Sequence, residues 1–175
     1  MQHRGWLRLC YQGAMASELQ HPFLRPGGRP SVSVIVPGEI LVSSYPRAAD
    51  ATWLRDDHGV GAVLSLQDDW DLLAKSLVEK DLESSYAAAG MDFVRHPITD
   101  NDLADVRRNI DRVLEKMHGM RERGDAVLVH CNAGYNRAPT VVIGYLSRFG
   151  GMALREAEAF VRQRRQCAPY TSVLE

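Results

Sequence analysis

The sequence predicts a single α/β domain in which helices flank a mainly parallel central sheet. Short β-branched segments alternate along the chain with longer segments whose apolar residues recur at helical spacing. In addition, 175 residues fit one domain and are enough to bury a sizeable core. We expect this domain to span residues 31–175 after an irregular arm over residues 1–30, because residues 25–30 are rich in Pro and Gly.

Each element follows from a local pattern. The first two strands, 32–36 and 40–43, are separated by Pro37-Gly38, which is a turn signal. Asp50 is a candidate cap for a helix that runs to Asp57, and the apolar run 60–66 predicts a strand buried on both faces. The remaining segments are, in order, a helix over 71–89, a strand over 93–95, and helices over 103–122, 137–149 and 153–165.

The composition narrows the classes of partner. A formal net charge of −1 gives no reason to expect nucleic acid or an acidic membrane, and no apolar run approaches membrane-spanning length. The cysteines Cys10, Cys131 and Cys167 show neither a disulfide framework nor zinc spacing, which favours a reducing, cytoplasmic location. We expect a monomer.

The most informative segment is residues 126–140, where a β-branched run ends at His130-Cys131 and Arg137 opens an amphipathic segment. The five residues between the cysteine and the arginine can wrap one phosphate with backbone N–H groups at a helix N-terminus. The same positive field favours the thiolate of Cys131, which is its nucleophilic form. Arg137 can bind two phosphate oxygens with its planar fork, and Gly134 permits a tight loop. The predicted phosphate-binding loop consists of Asn132, Ala133, Gly134, Tyr135, Asn136 and Arg137.

Segment 130–146 resembles the signature of the dual-specificity branch of cysteine-dependent phosphatases, whose pattern is His-Cys-x-x-Gly-x-x-Arg. The similarity extends over about residues 37–170 and implies the same α/β fold. Arg137-Ala138-Pro139 and the upstream segment 66–71 resemble plant phosphoglucan phosphatases, whereas segment 134–137 is closer to small protein-directed members. The family usually continues with another helix after the position of Glu175, so we expect the chain to be truncated there.

Cleavage of a phosphate ester also needs a proton donor for the departing oxygen, a task for a carboxylate near the pocket mouth. By resemblance, the general acid of the family corresponds best to Asp100, because Pro97-Ile98-Thr99-Asp100 matches the exit from the strand. Asp102 is the rival, and it also fits a cap for the helix that begins near Leu103. Most family members place Ser or Thr directly after the arginine, where this chain has Ala138.

Other side chains are assigned by their position. His130 is expected to organise the loop rather than to act as a base, because strand geometry points its side chain away from Cys131. Trp70 and Tyr135 are candidates for a substrate groove, with Tyr135 favoured, and Cys167 is expected to be a buried structural thiol. The following basic residues are expected either to attract a charged substrate or to form a solvated face: Arg107, Arg108, Arg162, Arg164 and Arg165.

The resemblance implies a phosphomonoester hydrolase of the dual-specificity protein phosphatase type, which acts on phosphorylated protein through a phosphocysteine intermediate. Cys131, Arg137 and Asp100 are its expected catalytic residues. No cofactor and no metal are expected, because Arg137 and the helix end supply positive charge. The alternatives are a phosphoglucan phosphatase, weakened because Asn101 stands where the plant family has an aromatic residue, and a catalytically silent phosphate-binding module.

Overall fold

The computed structural model describes residues 28–175. Its strands are β1 (Val32–Val36), β2 (Ile40–Ser43), β3 (Ala62–Ser65), β4 (Asp92–Arg95) and β5 (Val127–His130). The α-helices of the described residues are α1 (Ala51–His58), α2 (Asp69–Ala74), α3 (Glu79–Ala88), α4 (Leu103–Glu122), α5 (Arg137–Arg148) and α6 (Leu154–Arg162). Short 3-10 helices span Ala48–Asp50 and Thr171–Val173.

The five strands form one mixed sheet in the order β1-β2-β5-β3-β4. β5 lies at the centre and runs parallel to β2 and β3, and β3 also pairs in parallel with β4. β1 pairs with β2 in the antiparallel sense. The register aligns Ser43, His130 and Ser65 at the carboxyl ends of the three central strands. The loops that follow these strands therefore leave the sheet side by side, at the edge where open α/β sheets bind ligands.

Apolar side chains cover both faces of the sheet, which confirms the predicted α/β layers. Val127 and Val129 of β5 belong to a core cluster that includes residues of α4, α5 and α6. Leu128, which lies between them, belongs to a second cluster with residues of α1 and α3. The alternation of side chains along a strand explains this division. Among residues 28–175, no helix is long and apolar enough to cross a lipid bilayer.

The helix predicted over residues 71–89 is two helices. The chain adopts a left-handed conformation at Ser76 (φ 52°), between the end of α2 and the start of α3. Leu73, an apolar residue near the end of α2, is 68% exposed. The break was not predictable from apolar spacing, since the residues around Ser76 include neither Pro nor Gly.

Two other predictions at element ends are corrected. Asp50 precedes α1 but makes no side-chain cap for it; its carboxylate accepts a hydrogen bond from Arg47 N at 2.8 Å and closes the preceding 3-10 helix. Helix α6 ends at Arg162 rather than at residue 165. The predicted irregular arm, residues 1–30, lies almost wholly outside the described residues.

Candidate active site

The predicted phosphate loop begins directly after β5 and ends where α5 begins. Cys131 is buried at the first position after the strand, and Arg137 is the first residue of the helix. The exit of β2 supports the loop, since Tyr45 N donates to the Asn132 carbonyl at 2.9 Å. The sheet therefore fixes the position of the nucleophile.

Gly134 satisfies two constraints in the middle of the loop. Its φ is +62°, in the left-handed region that side chains with a Cβ rarely adopt. A Cβ at this position would lie 2.5 Å from Arg165 Nη2 and would also collide with the carbonyl of Ser43. The loop can follow its tight path only with glycine here.

The Arg137 guanidinium is buried, with 1% of the residue exposed. One of its three nitrogens, Nη1, donates all of its hydrogen bonds to described residues. Its Nη1 donates to Asp71 Oδ2 and to the Ile98 carbonyl, each at 2.7 Å, and to the Leu66 carbonyl at 3.3 Å. Its Nε and Nη2 have no hydrogen-bond acceptor among residues 28–175. These two nitrogens form a planar fork that can bind two oxygens of one phosphate.

Negative groups surround this fork. Asp100 Oδ2 lies 3.2 Å from Arg137 Nη2, an ion-pair distance without hydrogen-bond geometry. Burial by itself would lower the pKa of Arg137, but the charges of Cys131, Asp71 and Asp100 outweigh burial and raise it. Arg137 is therefore cationic, and the structure brings it together with both of the other residues predicted to be catalytic.

The two rival carboxylates have different partners. Asp102 caps α4, since its Oδ1 accepts a hydrogen bond from Asp105 N at 2.9 Å. Asp100 has a side chain that is 34% exposed and lies beside Arg137. Between them, Asn101 has a φ of 60°. The geometry favours Asp100 as the general acid, and this assignment stays a prediction.

Hydrogen bonds hold the segment that carries Asp100 at two points. Thr99 N donates to Asp105 Oδ2 at 2.8 Å, and this bond is the largest cause of the lowered pKa of Asp105. Tyr170 OH lies 3.2 Å from Asn101 Oδ1 and 3.5 Å from Asp100 Oδ1. Contacts with α4 and with the C-terminal segment thus hold Asp100 near the loop.

His130 is buried beneath the loop. Its Nδ1 lies 3.2 Å from the carbonyl oxygen of Cys131. Burial lowers the pKa of His130 to about 4, so its imidazole is neutral at neutral pH. A neutral ring that contacts the backbone fits the predicted organising role.

Asp71 belongs to the site but was not predicted from the sequence. Besides binding Arg137, it accepts a hydrogen bond from the Asn132 side chain, whose own oxygen accepts one from Gln67 Nε2 at 2.8 Å. Helix α2 positions Asp71, because Asp71 N donates to Oδ1 of the capping residue Asp68 at 2.8 Å. No local signal distinguishes Asp71 for this role, since several aspartates stand close together in the sequence there.

Arg165 is a second residue that sequence reasoning missed. It was expected to attract substrate or to lie on a solvated face, and both interpretations are wrong, because the residue is 0% exposed. Its guanidinium donates to the carbonyls of Ala133 and Gly134 in the phosphate loop. A cluster of arginines at the end of one helix contains no signal that tells which of them turns inward.

The other predicted residues lie around the site or away from it. Trp70 is 77% exposed on α2, and Tyr135 is half-buried in the loop. Cys167 is buried, as expected, and burial raises the pKa of its thiol. Within residues 28–175, no group of three or more His, Cys, Asp or Glu side chains is arranged to hold a metal ion. Arg164 is half-buried, and the remaining basic residues of that set are exposed, namely Arg107, Arg108 and Arg162.

Known proteins resemble this chain over much of its length. A family model described as dual specificity phosphatase, catalytic domain, matches residues 43–172. Laforin from Mus musculus is 27% identical over 137 residues, which is 72% of this chain and 42% of laforin. Dual specificity protein phosphatase 14 from Mus musculus is 38% identical over 74 residues, which is 42% of this chain and 37% of that protein. The chain thus spans less than half the length of these curated relatives.

Solved structures share the fold. The crystal structure of Tk-PTP in the active form is 26% identical, with a TM-score of 0.66 over 83% of this chain and 91% of that chain. The crystal structure of human DUSP28 has a TM-score of 0.64 at 24% identity, over 83% of this chain and 90% of that chain. Since the family model matches well over half of the sequence, this chain belongs to the family of dual specificity phosphatase catalytic domains.

Proposed function

We propose that this chain hydrolyses phosphomonoesters of proteins, both phosphotyrosine and phosphoserine or phosphothreonine, through a phosphocysteine intermediate. The observation that supports this most strongly is the open fork of Arg137 beside Cys131 and Asp100. Buried N–H groups without acceptors are costly unless a ligand supplies the acceptors. A phosphate dianion has the charge and the oxygens to do so.

In the first step, the Cys131 thiolate attacks phosphorus in line with the ester oxygen. The S–P bond forms as the P–O bond breaks, and Asp100 gives its proton to the departing oxygen. The loop N–H groups and Arg137 stabilise the negative charge on the other three phosphoryl oxygens. The products of this step are an alcohol or phenol and the phosphocysteine.

In the second step, water hydrolyses the phosphocysteine. Asp100, now a carboxylate, takes a proton from the water as its oxygen attacks phosphorus. The S–P bond breaks, its electron pair returns to Cys131 as the thiolate, and inorganic phosphate leaves. Each turnover therefore restores the protonated acid and the thiolate nucleophile.

Replacement of the nucleophile tests the proposal. Cys131→Ser should lose hydrolysis of an aryl phosphate but retain affinity for inorganic phosphate, because the loop donors and Arg137 are unchanged while a serine hydroxyl is not ionised there. Cys167→Ser is the matched control, since it alters a buried thiol outside the loop and should keep the parent rate. Turnover by Cys131→Ser near the parent rate would overturn the mechanism, and activity that a chelator abolishes would overturn its metal independence.

A phosphoglucan phosphatase is the second candidate. The match to laforin fits it and covers 72% of this chain, against 42% for dual specificity protein phosphatase 14. Trp70 also leaves a large aromatic surface exposed next to Asp71 on α2, and aromatic rings suit the binding of sugars. Parallel kcat/KM measurements on an aryl phosphate, a phosphopeptide set and phosphorylated glucan separate the two candidates. Preference for the glucan over every phosphopeptide would replace the leading proposal.

A further inference from the structure

The acceptors of Arg165 are all neutral. Its Nε donates to the Gly134 carbonyl, and its Nη2 donates to the Ala133 carbonyl at 2.9 Å and to Ser31 Oγ at 3.2 Å. Its Nη1 donates to Ser33 Oγ at 3.1 Å and to the carbonyls of Val42 and Ser31 at 3.3 and 3.5 Å. Among residues 28–175, no carboxylate pairs with this guanidinium. A fully buried arginine with only neutral partners needs a reason, because burying a charge is costly.

The two loop carbonyls bound by Arg165 determine where two loop N–H groups point. In a trans peptide unit the C=O and the N–H of the following residue point in opposite directions. Holding the carbonyls of Ala133 and Gly134 toward Arg165 therefore directs the N–H groups of Gly134 and Tyr135 away from it. A phosphate bound on the side of the loop away from Arg165 would meet these two N–H groups.

The loop cannot easily hold this shape without support. Because glycine has no Cβ, many backbone conformations of Gly134 compete with the native one, in which φ is positive. The segment after α6 adds two further links, since Ala168 N donates to the Tyr135 carbonyl at 2.9 Å and Asn136 Nδ2 donates to the Ala168 carbonyl at 2.7 Å. Arg165 and the segment after α6 thus hold consecutive residues of the loop together.

Arg165 also places a buried positive charge near the loop. Burial lowers the pKa of Arg165 to about 10, against the opposing effect of Cys131 and Cys167, so Arg165 remains cationic at neutral pH. The ionisable groups that interact with this guanidinium are the thiols of Cys131 and Cys167, and a phosphate bound in the loop would add negative charge there. The other ionisable groups that interact with Cys131 are Arg137 at the start of α5 and Tyr170 in the C-terminal segment, while His130 beside it is neutral.

We propose that Arg165 is a positioning residue of the active site: it holds the carbonyls of Ala133 and Gly134 so that the N–H groups of Gly134 and Tyr135 face the phosphate, and it supplies a buried positive charge near Cys131. This inference rests on the proposed phosphatase function. It assigns Arg165 to catalysis through the loop and without contact with the substrate.

Two variants of the full chain separate geometry from charge. Arg165→Lys keeps the charge but loses the planar fork, so the affinity for inorganic phosphate and kcat/KM on an aryl phosphate should each fall about tenfold or more. Arg165→Met also removes the charge, so the pH profile for alkylation of Cys131 by iodoacetamide should move to higher pH as well. Alkylation is followed on the Cys131 peptide by mass spectrometry, and amide NMR shows whether Gly134 and Tyr135 still respond to phosphate.

Arg162→Met is the matched control, because it removes a charge from the same segment. The Arg162 side chain is about half exposed, with its partners at Glu158 and the Cys167 carbonyl. This control should keep the parent profile and rate. A milder variant, Ser33→Ala, removes one acceptor of Arg165 and should give a smaller loss in the same direction, and it provides the readout if both Arg165 variants fail to fold.

The outcomes distinguish the two proposals. A parent protein that neither binds phosphate nor hydrolyses an aryl phosphate overturns the proposed function. An active parent with folded Arg165 variants that match it in phosphate affinity, rate and alkylation profile overturns the role of Arg165 alone. Loss of thermal stability in these variants without a change in those three readouts also overturns it, and so does a Ser33→Ala variant equal to the parent where both Arg165 variants fail to fold.

Discussion

Two buried arginines belong to the phosphate loop or contact it, and their partners differ in charge. Arg137 binds carboxylates, Asp71 at 2.7 Å and Asp100 at 3.2 Å, yet leaves its Nε and Nη2 without an acceptor among residues 28–175. Arg165 binds neutral oxygens only, and each of its three nitrogens has at least one acceptor. The first guanidinium is therefore arranged for a ligand and the second for the loop itself.

The largest expected effect concerns the open fork. Arg137→Lys should lower kcat/KM on an aryl phosphate by about 10³-fold, because an ammonium cannot hold two phosphoryl oxygens in the plane of the guanidinium. Arg148→Lys is the control, since that exposed residue at the end of α5 pairs with Asp111 and Glu115. Steady-state kinetics measures both. A loss below tenfold would mean that the open fork is not the phosphate site.

The assignment of Asp100 as the general acid predicts the second-largest effect. Asp100→Asn should lower the rate on substrates with poor leaving groups by ~100-fold or more, and it should flatten the basic limb of the rate–pH profile. Asp102→Asn should keep most of the activity, because Asn also caps helices. Rate–pH profiles of both variants on alkyl and aryl phosphates make the comparison. If only Asp102→Asn shows the loss, the two roles must be exchanged.

Asp71 tests whether carboxylate partners orient Arg137. Asp71→Ala should lower kcat/KM by roughly ten- to hundredfold, because Arg137 Nη1 and the Asn132 amide both lose a charged acceptor. Asp69→Ala is the control on the same helix, since its 88% exposed side chain pairs with Arg95. Unchanged or higher kcat/KM in Asp71→Ala would show that Asp71 merely opposes phosphate binding.

The position after Arg137 affects the second chemical step. Ala138 supplies no hydroxyl for the sulfur as it leaves phosphorus, and Thr140 does not replace it, since its Oγ1 donates to the Asn136 carbonyl at 2.8 Å. We expect a pre-steady-state burst of product, and a gain of about tenfold in phosphoenzyme breakdown in Ala138→Ser. Stopped-flow traces with an aryl phosphate measure both. No burst and no gain would show that another group already fills this role.

His130 offers the smallest effect on turnover but a measurable effect on stability. Because its folded pKa of about 4 lies below the ordinary value of 6.5, the unfolded state binds the proton first as the pH falls. The contribution of neutral His130 to the free energy of unfolding is complete above pH 6.5 and is lost toward pH 4, on the order of 3 kcal/mol.

Urea unfolding at several pH values checks this prediction. His130→Gln should flatten the decline between pH 6.5 and 4. His58→Gln should have a smaller effect, because the half-buried His58 has a pKa that burial lowers while Asp57 opposes the shift. Equal pH dependence in the parent and in His130→Gln would contradict the assignment.

Much of the fold and the phosphate loop follow from local sequence patterns. Side-chain alternation and helical spacing predicted the α/β layers, and α4 spans the residues expected for it, because these patterns report which side of an element is buried. The strand, the spacing of five residues and Arg137 predicted the phosphate loop, since all of its donors come from one continuous segment. The helix break at Ser76 was not predicted, because a single residue in the left-handed conformation does not change the spacing of apolar residues.

Which distant polar residues contact that loop depends on how remote segments of the chain come together. Asp71 comes from a helix after β3 and Arg165 from the segment after α6, and both resemble ordinary surface charges in the sequence. What selects them is the register of three parallel strands, which brings the ends of β2, β3 and β5 to one edge of the sheet. A local sequence pattern cannot predict which remote residues come into contact, because burial of a charge depends on partners that are distant along the chain.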